Sequence, residues 1–110
     1  MKDDLAYIEH IIECIQRIKT YTSGLSKAEF SNSELIQDAV IRNIEIIGEA
    51  TKKISESTKQ VYYEIPWKEM SGMRDKLIHD YMGVDIEVVW KTIETDIPVL
   101  YKMILTIRGL

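Results

Sequence analysis

The 110 residues of the chain are too few for two independent cores, so we expect a single domain that spans residues 1–110. Hydrophobic residues make up 45% of the sequence and charged residues 29%, a balance that excludes a disordered chain. The net charge of −4 argues against a broad basic face that coats nucleic acid, because Lys and Arg supply most of the nonspecific affinity for phosphates. Any contact with nucleic acid must be local, and a basic protein partner fits the charge equally well.

Two features of the sequence predict where the protein resides. Charged residues interrupt the apolar runs well before the roughly 18 residues that a membrane-spanning helix needs, and the first residues are acidic where a signal peptide would be basic. The only cysteine, Cys14, has no partner for an internal disulfide, and we expect it to be a buried apolar residue. We therefore expect a cytoplasmic protein.

Hydrophobic periodicity predicts two helices in the first half of the chain. Apolar residues at spacings of three and four predict a first helix over about residues 3–21, and a second apolar stripe beside the first indicates contact with two neighbouring helices. Residues 23–33 have the composition of a loop, and Ser31 with Glu34 fits a capping box that begins a second helix. This helix should run to about Ser57, with Gly48 allowing close approach of a neighbouring backbone, and a short helical turn is expected near residues 61–63.

The second half predicts two further helices. Pro66 suits the first position of a third helix that runs toward His79, because the missing N–H of proline would have no partner there. Gly83 should provide a break, and Asp85 is a good N-cap for a fourth helix. Pro98 should kink this last helix unless it is interrupted near Thr95. Four helices with short connections predict an all-α, up-and-down four-helix bundle.

The two histidines of the chain are the main candidates for chemistry. Motifs for zinc hydrolysis, P-loop nucleotide chemistry and serine-hydrolase chemistry are absent from the sequence. We interpret His10, which lies between Glu9 and Glu13 on the first helix, as a solvated surface residue. His79 is the stronger candidate because Arg74 precedes it by five residues.

Arg74, His79 and Tyr81 form an Arg-x4-His-x-Tyr motif. This motif resembles the Arg-x4–6-His motif of HEPN ribonucleases in its HepT form, and Asp75 matches the polar residue that usually follows the arginine. Two further segments are similar to the corresponding parts of HepT-like toxins, namely Asn43–Ala50 and Trp67–Met70. The similarity therefore covers most of the chain.

The resemblance implies a HEPN-like bundle that forms a homodimer and acts as the toxin of a type VII-like toxin–antitoxin pair. It implies a metal-independent endoribonuclease that cleaves RNA, with tRNA as one expected substrate, and that needs no cofactor. It implies Arg74 and His79 as catalytic residues, with Asp75 and Tyr81 in support. It also implies that a minimal nucleotidyltransferase antitoxin neutralises the toxin by AMPylation of Tyr81.

The chemistry of these residue types is compatible with RNA cleavage. Histidine can move a proton near neutral pH, and a guanidinium can hold two phosphoryl oxygens as charge accumulates on them. On an ideal helix about 140° separates Arg74 from His79, so either the helix ends before His79 or two copies of the motif meet across a dimer. In a purely structural alternative, Arg74 pairs with a carboxylate such as Asp75 or Asp80, and His79 and Tyr81 only cap a helix end.

A second functional hypothesis belongs to a different class. In it, the helical dimer is a catalytically silent module that serves as the docking partner or the adenylylation substrate of a nucleotidyltransferase. A neighbouring nucleotidyltransferase gene is expected under both hypotheses. A comparison of RNA cleavage by the wild type and by His79→Ala separates them.

Overall fold

The computed structural model describes residues 2–77 and 83–108, which form helices and the loops between them. The helices are α1 (Lys2–Thr22), α2 (Lys27–Ser31), α3 (Glu34–Lys52), α4 (Glu56–Val61), α5 (Trp67–Ser71), α6 (Met73–Leu77), α7 (Ile86–Lys91) and α8 (Ile97–Arg108), with a π-helical turn over Thr92–Asp96. Four helical bodies make the bundle: α1, α3, the pair α5–α6, and α7 continuing through the π turn into α8. The all-α bundle expected from the sequence is confirmed for these residues. None of the described helices combines the length and the apolar character needed to cross a membrane.

Helix α1 packs against both α3 and α8, as its wide apolar face predicts. Its core side chains are at most 1% exposed and comprise Ile8, Ile11, Ile12, Ile15 and Ile18. Cys14 is fully buried on the same face, as expected, and its burial raises the pKa of the thiol. The apolar surface of α1 is therefore used within the subunit.

Residues 23–33 were predicted to form a loop, but they contain the helix α2. Ser26 begins it with a capping box, in which its hydroxyl accepts from the Glu29 N–H at 3.1 Å and the Glu29 carboxylate accepts from the Ser26 N–H at 2.9 Å. The capping box predicted for Ser31 and Glu34 is wrong, because Ser31 is the last residue of α2. Helix α3 begins instead at the N-cap Ser33.

Tertiary contacts explain why α2 forms. Phe30 is fully buried, and its ring lies 5.3 Å from the ring of Trp90. The side-chain amide of Gln37 donates to the carbonyl oxygens of Phe30 and Ser31 at 2.9 and 3.0 Å. These contacts hold a five-residue helix that would be unstable alone.

Helix α3 ends at Lys52, five residues before the predicted end, because Ser55 begins a new helix. Asp4 of α1 holds this start: its carboxylate accepts from the Ser55 N–H at 2.9 Å, the Ser55 hydroxyl at 2.6 Å and the Thr58 hydroxyl at 2.5 Å. The short helical turn expected near residues 61–63 lies earlier in the chain than predicted, as the helix α4, which ends at Val61.

The predicted third helix is divided into α5 and α6 at Gly72. Pro66 precedes the first helical residue as its N-cap rather than occupying the first helical position. The buried indole of Trp67 donates to the Tyr62 carbonyl oxygen at 3.1 Å and fixes the start of α5. Glycine has a low helix propensity, which explains the break after Ser71.

The fourth predicted helix begins and is interrupted where the sequence indicates. Asp85 accepts from the Val88 N–H at 3.3 Å, and Gly83 has a φ of 88° that favours glycine. Of the two alternatives for Pro98, a kink or an interruption near Thr95, the structure shows the interruption, as a π turn at residues 92–96. In a regular α-helix the ring of Pro98 would collide with the Glu94 carbonyl, and the wider turn accommodates it.

Asp4 yields a test of stability against pH. Hydrogen bonds from Ser55, then from Thr58, lower the pKa of Asp4 from 3.8 to about 2, so its stabilising effect is complete above pH 3.8 and is lost as the pH falls through 2. We expect Asp4→Asn to lower the free energy of unfolding by about 2 kcal/mol at pH 7 in urea titrations. The difference should shrink below pH 4. The exposed neighbour Asp3→Asn is the control, and an equal loss in both variants would contradict the assignment.

Candidate functional site

A groove of about 490 Å³ crosses the outward face of α3. Helix α1 forms one side of this α3 groove, and α5 and α6 form the other. The residues that line it include Tyr7, His10, Arg42, Glu45, Gly48, Glu49, Lys52, Lys53, Ser71, Arg74 and Asp75. Of the sequence-predicted site residues, Arg74 and Asp75 therefore lie in one concave surface.

Arg74 pairs with Glu45 of α3. The Nε of Arg74 donates to Oε2 of Glu45 at 2.7 Å, and the two side chains are 50% and 32% exposed. The structural alternative expected Arg74 to pair with a carboxylate, and this part of it is confirmed. The partner is Glu45 and not Asp75, because α6 directs Arg74 to α3, and Asp80 lies outside the described residues.

Close packing of α5 on α3 brings this pair together. A Cβ atom at Gly48 would lie 3.2 Å from the Ser71 carbonyl oxygen and 3.5 Å from that of Met70, so the backbone of α5 rests directly on α3. This contact confirms the close approach predicted at Gly48. Glu45 lies one helical turn before Gly48 on the same helix. Helix α6 follows α5 directly and carries Arg74 to Glu45.

Asp75 and His10 are both exposed at the α3 groove. The backbone N–H of Asp75 donates to the Gly72 carbonyl oxygen at 3.0 Å, which fixes the first turn of α6. The interpretation of His10 as a surface residue is confirmed, but its position in the same groove as Arg74 was not predicted. The role of Glu45 as the partner of Arg74 was not predicted either. No local spacing signals either residue, because the groove joins elements that are distant in the chain.

His79 and Tyr81 lie outside the described residues, so their expected roles and the question of where the helix ends stay predictions. The residues on either side are described. The backbone N–H of Asp85 donates to the carbonyl oxygen of Leu77 at 2.7 Å. The chain therefore enters and leaves the segment 78–82 at neighbouring points.

The charges that line the α3 groove differ from those of the whole chain. Among the described residues that line it, four are basic, Arg42, Lys52, Lys53 and Arg74, and three are acidic, Glu45, Glu49 and Asp75. The whole chain has 14 basic and 18 acidic residues. The described lining is therefore slightly basic, whereas the chain as a whole is acidic. In the part of the chain that the structure describes, no cluster of three His, Cys, Asp or Glu side chains is arranged to hold a metal ion.

Comparison with known proteins gives the family. Residues 11–107 match the family model described as Ribonuclease HepT-like. The chain belongs to the HepT-like ribonuclease family. The matched part of this HepT-like chain contains Glu45, Arg74, His79 and Tyr81, whereas His10 lies just before it.

Relatives of this HepT-like chain carry names that refer to ribonucleases. A Thermococcus cleftensis protein named "Probable ribonuclease HepT" is 50% identical, with 86% of each chain covered. "Putative RNase TTE0752" of Caldanaerobacter subterraneus subsp. tengcongensis is 42% identical, with 94% of this chain and 93% of that protein covered. "Gamma-glutamylcyclotransferase and putative RNase MJ0434" of Methanocaldococcus jannaschii is 46% identical over 96% of this chain, which spans 48% of that protein. No solved structure matches this chain.

Proposed function

We propose that this HepT-like protein is a metal-independent endoribonuclease and the toxin of a type VII-like toxin–antitoxin pair, with tRNA as one expected target. The observation that carries the proposal is the position of Arg74, whose half-exposed guanidinium lies at the α3 groove among further basic side chains. A permanently charged guanidinium in a groove is suited to hold a phosphodiester. Membership of the HepT-like ribonuclease family supports the same chemistry.

The reaction divides between the two motif residues. His79 takes the proton of a ribose 2′-hydroxyl, whose oxygen attacks the adjacent phosphorus and displaces the 5′-oxygen of the next nucleotide. The displaced oxygen takes a proton from water, His79 then returns its proton to water, and the products carry a 2′,3′-cyclic phosphate and a 5′-hydroxyl. Arg74 binds the phosphoryl oxygens while negative charge accumulates on them, and Asp75 supports Arg74 at the groove.

Substitution of either motif residue should abolish cleavage. We expect Arg74→Ala and His79→Ala each to lower the cleavage rate by roughly 10²–10³-fold, because each removes a group that acts in the transition state. Gel assays of RNA cleavage in EDTA, with end-group analysis for the cyclic phosphate, measure this. Lys76→Ala and His10→Ala are the controls on α6 and in the groove, and both should remain active. Cleavage that EDTA abolishes, or an active His79→Ala, contradicts the assignment.

A homodimer belongs to the same proposal. Helices α3 and α8 cover the wide apolar face of α1 within the subunit. Another apolar surface is available near α8, where Val61, Tyr63 and Val99 are 69%, 77% and 57% exposed. Met103 lines the concavities beside both the Val61–Ile65 segment and Val99, so the surface is continuous. Helix α6 borders this surface through Met73 and Lys76, so a second copy placed on it would contact the helix in which the motif begins.

The dimer is tested by replacing one residue of this surface. We expect sedimentation at low micromolar concentration to give twice the chain mass of 12.8 kDa for the wild type, because stable dimers typically bury a large and mainly apolar interface. Val99→Glu should give monomers, since it places a charge in the interface. Leu35→Glu is the matched control, because Leu35 is an exposed apolar residue at the start of α3. A wild type that sediments only as a monomer would refute the dimer.

Regulation at Tyr81 completes the proposal. A nucleotidyltransferase antitoxin transfers AMP from a nucleotide to the Tyr81 hydroxyl, forming a phosphodiester and releasing pyrophosphate if ATP is the donor. The added phosphate brings a negative charge to the motif, where Arg74 attracts it, and fills the space that an RNA phosphate needs. Inhibition then follows from both charge and bulk.

Intact mass measurement after co-expression with the antitoxin tests the modification. We expect a gain of about 329 Da per AMP group, and loss of that gain in Tyr81→Phe, because phenylalanine has no hydroxyl to accept AMP. Tyr63→Phe, an exposed tyrosine outside the motif, is the control and should still be modified. A mass gain that persists in Tyr81→Phe would exclude Tyr81 as the acceptor.

A further inference from the structure

Among the described residues, the guanidinium of Arg74 forms a hydrogen bond only through its Nε. Its Nε donates to Oε2 of Glu45, and its two terminal nitrogens form no hydrogen bond with any residue in the ranges 2–77 and 83–108. A guanidinium is planar, so a partner at Nε fixes the direction in which the terminal nitrogens point. Those two nitrogens form the donor pair that matches two oxygens of a phosphate.

Glu45 has a firm support for this contact. It belongs to the 19-residue helix α3, whose inner face is anchored by the fully buried Ile44 and Ile47. One turn further on, Gly48 holds α5 against the same helix, with 3.2 Å from its ideal Cβ position to the Ser71 carbonyl oxygen. The backbones that carry Glu45 and Arg74 are therefore packed against each other independently of the ion pair.

We propose that Glu45 is a positioning residue for RNA cleavage, which holds Arg74 by its Nε and directs the terminal nitrogens to the scissile phosphate. This inference rests on the proposed ribonuclease function. Glu45 does not contact the reacting atoms; it acts through Arg74.

Charge alone gives no reason for a carboxylate at this place. Glu45 repels RNA phosphates in the α3 groove, so on electrostatic grounds its removal should tighten binding. As a half-exposed surface pair, the contact with Arg74 also contributes little to folding. Orientation of the guanidinium is the remaining effect, and a displacement of about 1 Å in a catalytic group can cost roughly 10²-fold in rate.

Glu49 is a matched control on the same helix. It lies one turn after Glu45, lines the same groove and pairs with Lys52 at 3.7 Å, with both side chains more than half exposed. It shares with Glu45 its charge, its helix and its groove, but it does not contact Arg74. A difference between substitutions at the two positions therefore reports on Arg74.

Single-turnover and steady-state cleavage of an RNA substrate provide the kinetic test. We expect Glu45→Ala to lower kcat by at least about tenfold with KM unchanged or lower, and Glu45→Gln to retain most of kcat because its amide oxygen can accept the same hydrogen bond. Glu49→Ala removes the same charge from the groove, so its KM should be unchanged or lower, as in Glu45→Ala, but its kcat should stay within roughly twofold of the wild type because Arg74 keeps its partner. In an Arg74→Ala background, Glu45→Ala should cause no further loss. Arg74→Lys should be nearly inactive, because an ammonium group has no separate Nε that Glu45 can hold while two other nitrogens bind the phosphate.

The NMR signal of the Arg74 Nε–H gives a readout that does not depend on cleavage. The chain has only four arginines, and the Arg74→Lys spectrum identifies the signal of Arg74. We expect its exchange with water to be slow in the wild type and in Glu49→Ala, and fast in Glu45→Ala. Circular dichroism confirms that each variant is folded.

The outcomes distinguish the two proposals. If the wild type does not cleave RNA, the proposed function fails and the positioning role fails with it. If the wild type cleaves and Glu45→Ala is equally active, or if its Arg74 Nε–H exchanges as slowly as in the wild type, only the positioning role is overturned. Faster cleavage by both Glu45→Ala and Glu49→Ala would show that the two carboxylates act through charge alone.

Discussion

Packing on both flanks of α3 is the constraint on which the groove and the site depend. Helix α1 covers one flank with a row of fully buried isoleucines, and α5 covers another through the close contact at Gly48. The outward face of α3 is left between them as the floor of the groove. Interiors pack at high density and deform little, so the separation of α1 from α6 is set by the core and not by the polar residues at the rim.

The charge distribution follows from this geometry. An acidic chain can still have a locally basic surface if basic residues of separate elements lie in one groove, as Arg42 of α3, Lys53 at its C-cap and Arg74 of α6 do in the α3 groove. Screening limits the influence of distant acidic residues to about 8–10 Å at physiological ionic strength. Net charge therefore predicts only that any contact with nucleic acid is local, and it does not indicate where on the surface basic residues meet.

The sequence predicts correctly those elements whose signals lie within one helical turn. The prediction is wrong where a contact between residues distant in the chain determines the structure. Asp85 caps a helix and Pro98 demands an interruption, and both effects act within one turn. Ser26 and Ser31 each have a glutamate three residues later, so spacing alone does not choose between them; the burial of Phe30 against Trp90 does. The partnership of Arg74 with Glu45 joins residues 29 positions apart, which no helical period encodes. His79 and Tyr81, outside the described residues, rest on the motif and on the family.

Two carboxylates illustrate how burial separates stability from function in this chain. Asp4 is 4% exposed and accepts three hydrogen bonds that join α1 to α4, so its substitution is expected to lower the free energy of unfolding. Glu45 is one-third exposed and accepts from Arg74, a pair whose contribution to stability is at most about 1 kcal/mol. The fold therefore depends little on where the Arg74 side chain lies, whereas the proposed binding of a phosphate depends on it. A residue that fixes Arg74 without stabilising the bundle is thus expected to affect catalysis selectively.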